Sequence, residues 1–268
     1  MRNPLIACAV LAGATLLGAS SQVPLVEQER FLSTASIVQD PGSASEATGS
    51  RRVSLDDGTR KHDASVVTED GSGPTRRDHR FNIAAFELDK AIGLNMVVPS
   101  VARVVSGRPA SLSWWIDDIA MSEVIRRRKG IEPPDPDRWA KQVQAVRVFD
   151  ELIANAYRDP SPPLYLNSIW DNLLITPDWT VWLVDHTGAF GTRQGLKDRD
   201  SLTRCPRRVL GRLRELNRAS LQQLLGAYLS APQVAALDAR RALLVRHFSV
   251  RIHSEGEGVV LYDLLPRP

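Results

Sequence analysis

Asp171-Asn172-Leu173-Leu174-Ile175-Thr176-Pro177-Asp178-Trp179-Thr180-Val181-Trp182-Leu183-Val184-Asp185 reads as two β-prone runs joined by a turn. Proline after threonine, followed by aspartate, favours a turn over residues 176–179. With the hairpin centred there, Leu174 faces Leu183 and Asn172 faces Asp185 at the open end. Side chains opposed in this way have Cβ atoms about 4.5–5.5 Å apart, so both oxygens reach one cation. Mg²⁺ is commonly held through one or two side-chain oxygens, with water and substrate phosphates completing the shell. Asn172 and Asp185 are therefore the candidate metal and cofactor-binding residues of hairpin 171–185. The alternative reading of the pair is purely structural: the two residues merely close the hairpin and cap the next turn.

Upstream of this hairpin the chain divides into a β-rich front and a helical back. From Phe31 to Asp70 the pattern is strand-like, with Ala35–Val38, Arg52–Leu55 and His62–Val67 as expected strands and Asp56-Asp57-Gly58 as a tight turn. Gln39–Gly49, rich in Gly, Ser and Ala, is a connecting loop. Apolar residues at helical spacing predict a helix over 82–92, stopped by Gly93, and Val97–Val105 is expected as a strand. The proline-rich stretch 132–137 is a loop, Arg138–Tyr157 a long helix, and Pro206–Phe248 helical throughout with a break near Ala231-Pro232. Segregation of this kind predicts an α+β fold in two lobes. The expected division is an N-lobe over 23–112 and a mainly helical C-lobe over 113–268.

The first 22 residues read as a signal peptide. Arg2 precedes an apolar run, Pro4–Leu17, and Gly18-Ala19-Ser20-Ser21 supplies small residues for cleavage. The run is shorter than the ~20 residues of a membrane-spanning helix, so no integral segment is expected after cleavage. An uncleaved N-terminal anchor is the alternative. The expected location is outside the cytoplasm: periplasmic, extracellular or in a secretory lumen. Net charge is +3 with pI ≈ 9.1, short of what nucleic-acid binding calls for. The run Arg126-Arg127-Arg128-Lys129 fits a solvated helix end. Cys205 is the one cysteine beyond the leader, which excludes a disulfide framework or a cysteine zinc site within the chain. No nucleophile elbow, His-Glu-x-x-His pair or phosphate loop of the Gly-x-x-x-x-Gly-Lys type occurs.

Two segments resemble the atypical protein kinases, among them the secretory-pathway casein kinases and, more distantly, the HipA and phosphoinositide-kinase groups. The first is Asn82-Ile83-Ala84-Ala85-Phe86-Glu87-Leu88-Asp89-Lys90-Ala91-Ile92-Gly93-Leu94 with Val98-Pro99. The second runs from Leu152-Ile153-Ala154-Asn155-Ala156-Tyr157-Arg158 through Asp171–Ile175 to Leu183-Val184-Asp185-His186-Thr187-Gly188-Ala189-Phe190. The order is similar, too, to that of a group of bacterial proteins of comparable length. The resemblance implies a two-lobed protein-kinase-like fold with ATP or a related nucleotide and Mg²⁺ (or Mn²⁺) as cofactors. Its implied reaction is phosphotransfer to a hydroxyl of a protein, glycan or small molecule. Asp185 then matches the metal aspartate and Asn172 the second metal ligand.

The match fails at the catalytic aspartate, whose position falls at Tyr157 ahead of an insertion carrying Pro160, Pro162 and Pro163. Asp159, with Arg158 beside it, is the candidate substitute base, and Asp171 a second candidate. The third strand lacks the phosphate-pairing lysine. Lys61 comes five residues early, ~16 Å along a strand. The partner glutamate falls at Asn82, and Glu87 points elsewhere as a solvated charge. A general base contributes ~10²–10⁴-fold, so a slow kinase and a catalytically impaired pseudokinase acting as a binding or scaffold module both remain open. Trp114-Trp115 is expected in the core or the seam between lobes.

Overall fold

A computed structural model describes residues 23–41, 50–68, 78–155 and 172–265. The expected leader therefore lies outside the described residues, as do the loop 42–49 and residues 156–171, which include Tyr157, Arg158, Asp159 and Asp171.

The fold is mixed α+β. Helix α1 (Leu25–Thr34) leads into strands β1 (Ser36–Gln39), β2 (Ser50–Asp56) and β3 (Lys61–Thr68). Helix α2 (Arg80–Ile92) follows, then β4 (Ser100–Val105) and β5 (Arg108–Trp114). The five strands form one antiparallel sheet in the order β1-β2-β3-β5-β4. Two elements here differ from expectation. Phe31–Thr34 belongs to a helix, whose two buried residues, Phe31 and Leu32, lie against the sheet. And the strand expected from Val97 begins at Ser100 and turns back at Ser106-Gly107. Both of these residues have positive φ (52° and 77°), the signature of a two-residue hairpin turn whose twist matches its strands.

Period-two alternation gives the sheet two unlike faces. Val53, Leu55, Ala64, Val66, Ala110, Leu112 and Trp114 pack beneath α1 as a small core of their own. Ser65, Val67, Ser111 and Ser113 point to the other side, where α2 and the rest of the chain lie. Trp114 stacks on His62 at 3.7 Å between ring centroids and meets Phe31 edge-on, so it is a core residue. Lys90 of α2 joins Glu29 of α1 at 2.9 Å and Glu87 at 3.0 Å. Glu87 is thus part of a half-buried ion-pair cluster and not a solvated charge. Burial opposes the charge on Lys90, but the two carboxylates outweigh it and raise its pKa.

The larger core joins α2 to the remaining elements. These are β6 (Met121–Ser122), α3 (Glu123–Lys129), α4 (Pro136–Ile153), β7 (Leu173–Ile175), β8 (Val181–Leu183), β9 (Cys205–Pro206), α5 (Arg207–Glu215), α6 (Arg218–Leu225), α7 (Ala231–Glu255), α8 (Glu257–Val260) and β10 (Leu261–Tyr262). The basic run ends α3, with Arg126 and Arg127 paired to Glu123 at 2.6 and 2.7 Å. Helix α4 stops at Ile153 rather than Tyr157, because Ala154 takes a left-handed conformation with φ 50°. The region 206–248 is not one helix: a capping box at Asn217 and Ser220 starts α6, and Gly226 ends it. Arg240, fully buried on α7, donates to the carbonyls of Leu152 (2.8 Å) and Gly191 (3.1 Å). It ties the end of α4 to the chain beyond Asp185.

Candidate functional site

Strands β6, β7 and β8 form a small antiparallel sheet. The turn falls where the residues predict it, with Trp179 N–H donating to Thr176 O at 2.9 Å. The register does not. Leu173 opposes Leu183 and Leu174 opposes Trp182, one residue away from the expected pairing. The cause is where the turn is centred. Trp179 adopts φ 63°, and Thr176 N–H donates to Thr180 O at 3.0 Å, so residues 177–179 form a three-residue loop about Asp178. A three-residue loop ending in a left-handed residue is a standard hairpin closure. Helix α4 clamps it there: Gln142, nearly buried, donates to Trp179 O (2.9 Å) and accepts from Val181 N–H (3.0 Å). Arg138 adds donations to Asp178 O and Thr180 Oγ1 at 2.7 and 3.0 Å.

Asn172 consequently sits across from Val184, whose N–H donates to Asn172 O at 3.1 Å, and not across from Asp185. In a regular strand a one-residue slip would send Asp185 to the opposite face. The chain does not stay regular. Asp185 has φ 50°, and this left-handed step turns it out of the strand. Asn172 and Asp185 both line one cavity of about 170 Å³, together with Leu174 and Val184 of the hairpin.

The roof of that cavity is the polar face of the large sheet. Ser65, Val67 and Ser113 line it, with Trp115 and Ile116 from the segment that leaves β5. Val98 closes a side, and its N–H donates to Leu183 O at 3.2 Å, joining the β8 hairpin to the chain ahead of β4. Trp115 also carries the guanidinium of Arg52 over its ring at 4.5 Å. Among the described residues lining the cavity, Asp185 is the only ionisable one. Lys61 lies at the far end of β3, 78% exposed and 3.4 Å from Asp56. Val67 and Ser65 are the β3 side chains that face the cavity.

Asn82 is the residue that links these parts. It is buried, lines the cavity, accepts from the His186 N–H at 2.7 Å, and donates to Ser111 Oγ at 3.3 Å. One amide thus bridges the sheet, α2 and the residue after Asp185. Asp185 Oδ1 in turn accepts from Thr187 N–H (3.3 Å) and Oγ1 (2.6 Å). At the start of α2, Asp78 N–H donates to Thr187 O at 3.4 Å, and Arg80 grips the Asp78 carboxylate at 2.6 Å. Burial pushes the Asp78 pKa up, but the hydrogen bonds and charge of Arg80 more than offset this and hold it below the usual value. The sequence singles out Asn172 and Asp185 as candidates and Asn82 only as the position where a glutamate is missing, and it does not single out Ser65, Ser111 or Ser113. Their signal was present in the alternation Ala110-Ser111-Leu112-Ser113-Trp114.

No family model and no curated protein matches the sequence. Among solved structures, that of hydra Fam20 with sugar is similar over 91% of this chain and 93% of its own, at 15% identity and a TM-score of 0.63. The structure of the Helicobacter pylori proinflammatory kinase CtkA is similar over 86% of this chain and 99% of its own, at 9% identity and a TM-score of 0.53. The chain has an atypical protein-kinase-like fold. At these identities the likeness extends to the fold alone. In the kinase-like frame the cavity lies between the large sheet and the β7–β8 hairpin, and the segment at Trp115 connects the two sheets through β6. Among the described residues no helix is long and apolar enough to cross a membrane.

The donor chemistry fits a hard divalent cation. Asp185 offers a carboxylate and Asn172 an amide oxygen to the lining of one cavity, and Mg²⁺ is satisfied by that number of protein oxygens when water and phosphate fill the rest. No group of three or more His, Cys, Asp or Glu suited to a softer, all-protein metal site occurs among the described residues.

Proposed function

We propose that this is an exported kinase-like protein that binds a nucleotide with Mg²⁺ (or Mn²⁺) in the cavity between the sheet and the β7–β8 hairpin. Asn172 and Asp185 would hold the metal. The single observation that carries this is the presence of both oxygen donors in the lining of one cavity, which Ile116, Leu174 and Val184 supply with apolar surface suited to a base. When bound, magnesium neutralises phosphate charge and aligns the transferring group. The chain's own residues orient and exclude water. Trp115 and Ile116 border the cavity at the connecting segment, and the Ser65 and Ser113 hydroxyls provide neutral polar contacts. Phosphotransfer would go to a hydroxyl of a protein, glycan or small molecule, with Asp159 as the base and Arg158 beside it. The similarity to a Fam20 structure that contains sugar supports a glycan hydroxyl among these acceptors.

A second reading has its own support. With no lysine or arginine among the described residues lining the cavity, phosphate would be held through the metal alone, as in a pseudokinase that binds without efficient transfer. Thermal denaturation with Mg-ATP tests binding. At a hundred times Kd the ligand adds about 2.7 kcal/mol of stability, and Asp185→Ala is expected to abolish the shift. No shift of the unaltered protein at millimolar Mg-ATP would remove both readings. Transfer of ³²P that disappears in Asp159→Asn would separate a kinase from a pseudokinase.

A further inference from the structure

A second concavity lies away from the nucleotide cavity. A groove of about 790 Å³ runs between α7 and residues 196–200 of the segment that follows Asp185. Leu243, Arg246, His247, Val250 and Arg251 line it, recurring every three or four residues, so one stripe of α7 faces the groove. The opposite stripe, with Leu237, Leu244 and Phe248, is buried in the larger core. The groove stripe is not an ordinary solvated face. Leu243 is 39% and Val250 61% exposed, and they are flanked by arginines.

The charges in the groove divide into committed and uncommitted ones. Arg251 is paired with Glu255 at 2.7 Å, and His247 Nε2 lies 2.8 Å from the Leu202 carbonyl. Arg199 and Arg246, one from each wall, have guanidinium groups with no hydrogen-bond or ion-pair partner among the described residues. Asp200 is the single acid among the lining residues. Two open guanidinium groups favour carboxylates, which arginine binds in a two-pronged fashion. The aliphatic pair between them favours apolar side chains at neighbouring positions, and exposed aliphatics framed by arginine are the composition of a protein-binding strip. The same arginines could pair with phosphate, but a nucleic-acid backbone would set its phosphates against Asp200 and leave the aliphatics without apolar cover.

We propose that the α7 groove docks a segment of a partner protein in which carboxylates are interleaved with aliphatic side chains. This stands independently of the nucleotide site, with which the groove shares no lining residue. The test is fluorescence anisotropy with a labelled twelve-residue peptide containing equal numbers of glutamate and leucine. Saturable binding is expected. It should weaken by on the order of tenfold or more in Arg199→Ser/Arg246→Ser, taking about fivefold for each exposed ion pair. Val250→Asp should weaken it as well, and a melting curve of each variant confirms folding. The proposal is overturned by absence of binding to the unaltered protein, or by binding that survives the double arginine change. Equal affinity for a control peptide in which every leucine is replaced by alanine, or for a single-stranded oligonucleotide, would likewise overturn it, because the groove would then be reading charge alone.

Discussion

Replacing Asn82 by alanine probes the bridge between sheet, helix and Asp185 most directly. The change removes the acceptor of the His186 N–H, a group on a residue 1% exposed, and the donor to the buried Ser111 hydroxyl. Stripping a buried donor of its partner costs about 1–3 kcal/mol, and the weaker 3.3 Å contact to Ser111 adds about 0.5–1. A total near 2–3 kcal/mol corresponds to a melting temperature roughly 5–10 °C lower for a chain of this size. The local consequence is larger than the global one. The left-handed step at Asp185 is held by the hydrogen bond one residue on, so its loss frees the carboxylate to leave the cavity. Mn²⁺ binding, followed by electron paramagnetic resonance, is expected to weaken about tenfold or more in Asn82→Ala, each 1.4 kcal/mol of lost positioning being tenfold. Asn82→Gln controls for burial, and Asn82→Asp retains an oxygen for the His186 N–H while adding a charge beside Asp185. An Asn82→Ala protein with unchanged melting temperature and unchanged Mn²⁺ affinity would refute the bridge. If the unaltered protein binds no Mn²⁺, the metal site itself fails and only the stability arm is left to judge Asn82.

Two further outcomes follow from the same elements. Gly93 ends α2 at φ 68°, where an added Cβ would collide with the guanidinium end of Arg208. Gly93→Ala therefore combines left-handed strain with displacement of a flexible side chain, and should cost about 1–2 kcal/mol, read as a melting temperature roughly 2–6 °C lower, with Mn²⁺ affinity retained. Asp78 has a folded pKa below its unfolded value, so the native state binds fewer protons and the stabilisation is present above the unfolded pKa. It is lost as pH falls through the unfolded value and then the folded one. Urea titrations from pH 6 to pH 2.5 should show a shallower acid-side loss of stability in Asp78→Asn than in the unaltered protein, and parallel curves would remove Asp78 from the acid response.

The elements that sequence reasoning located well are those with local punctuation. Strands β2 and β3 flank an Asp-Asp-Gly turn, and α2 runs into Gly93, the residue that a left-handed helix end asks for. The errors arose where geometry was set from afar. Trp179 carries a left-handed φ that no glycine announces, because Gln142 and Arg138 hold the loop from α4, and the hairpin register shifted by one. Helix α1 has only Phe31 and Leu32 as buried anchors and no side-chain cap, too faint a pattern to distinguish from a strand. The turn at Ser106-Gly107 is legible from its glycine, but the return strand Arg108–Trp114 alternates serine with apolar residues and gives a fainter signal than the apolar run before the turn. As for the candidate site, the identities of Asn172 and Asp185 came from spacing and resemblance, yet the route by which Asp185 reaches the cavity is a backbone twist that residue patterns do not encode.

The placement of α1 bears on how the protein can be handled. Its Phe31 and Leu32 cover the outer sheet face where Leu55, Val66 and Leu112 meet. Expression boundaries drawn at Ser36, where the sheet begins, would leave that face bare and invite edge-to-face association between copies. Purification handles are better joined upstream of Val23, whose carbonyl accepts from the Gln28 side chain at 2.6 Å and whose side chain packs against the same small core.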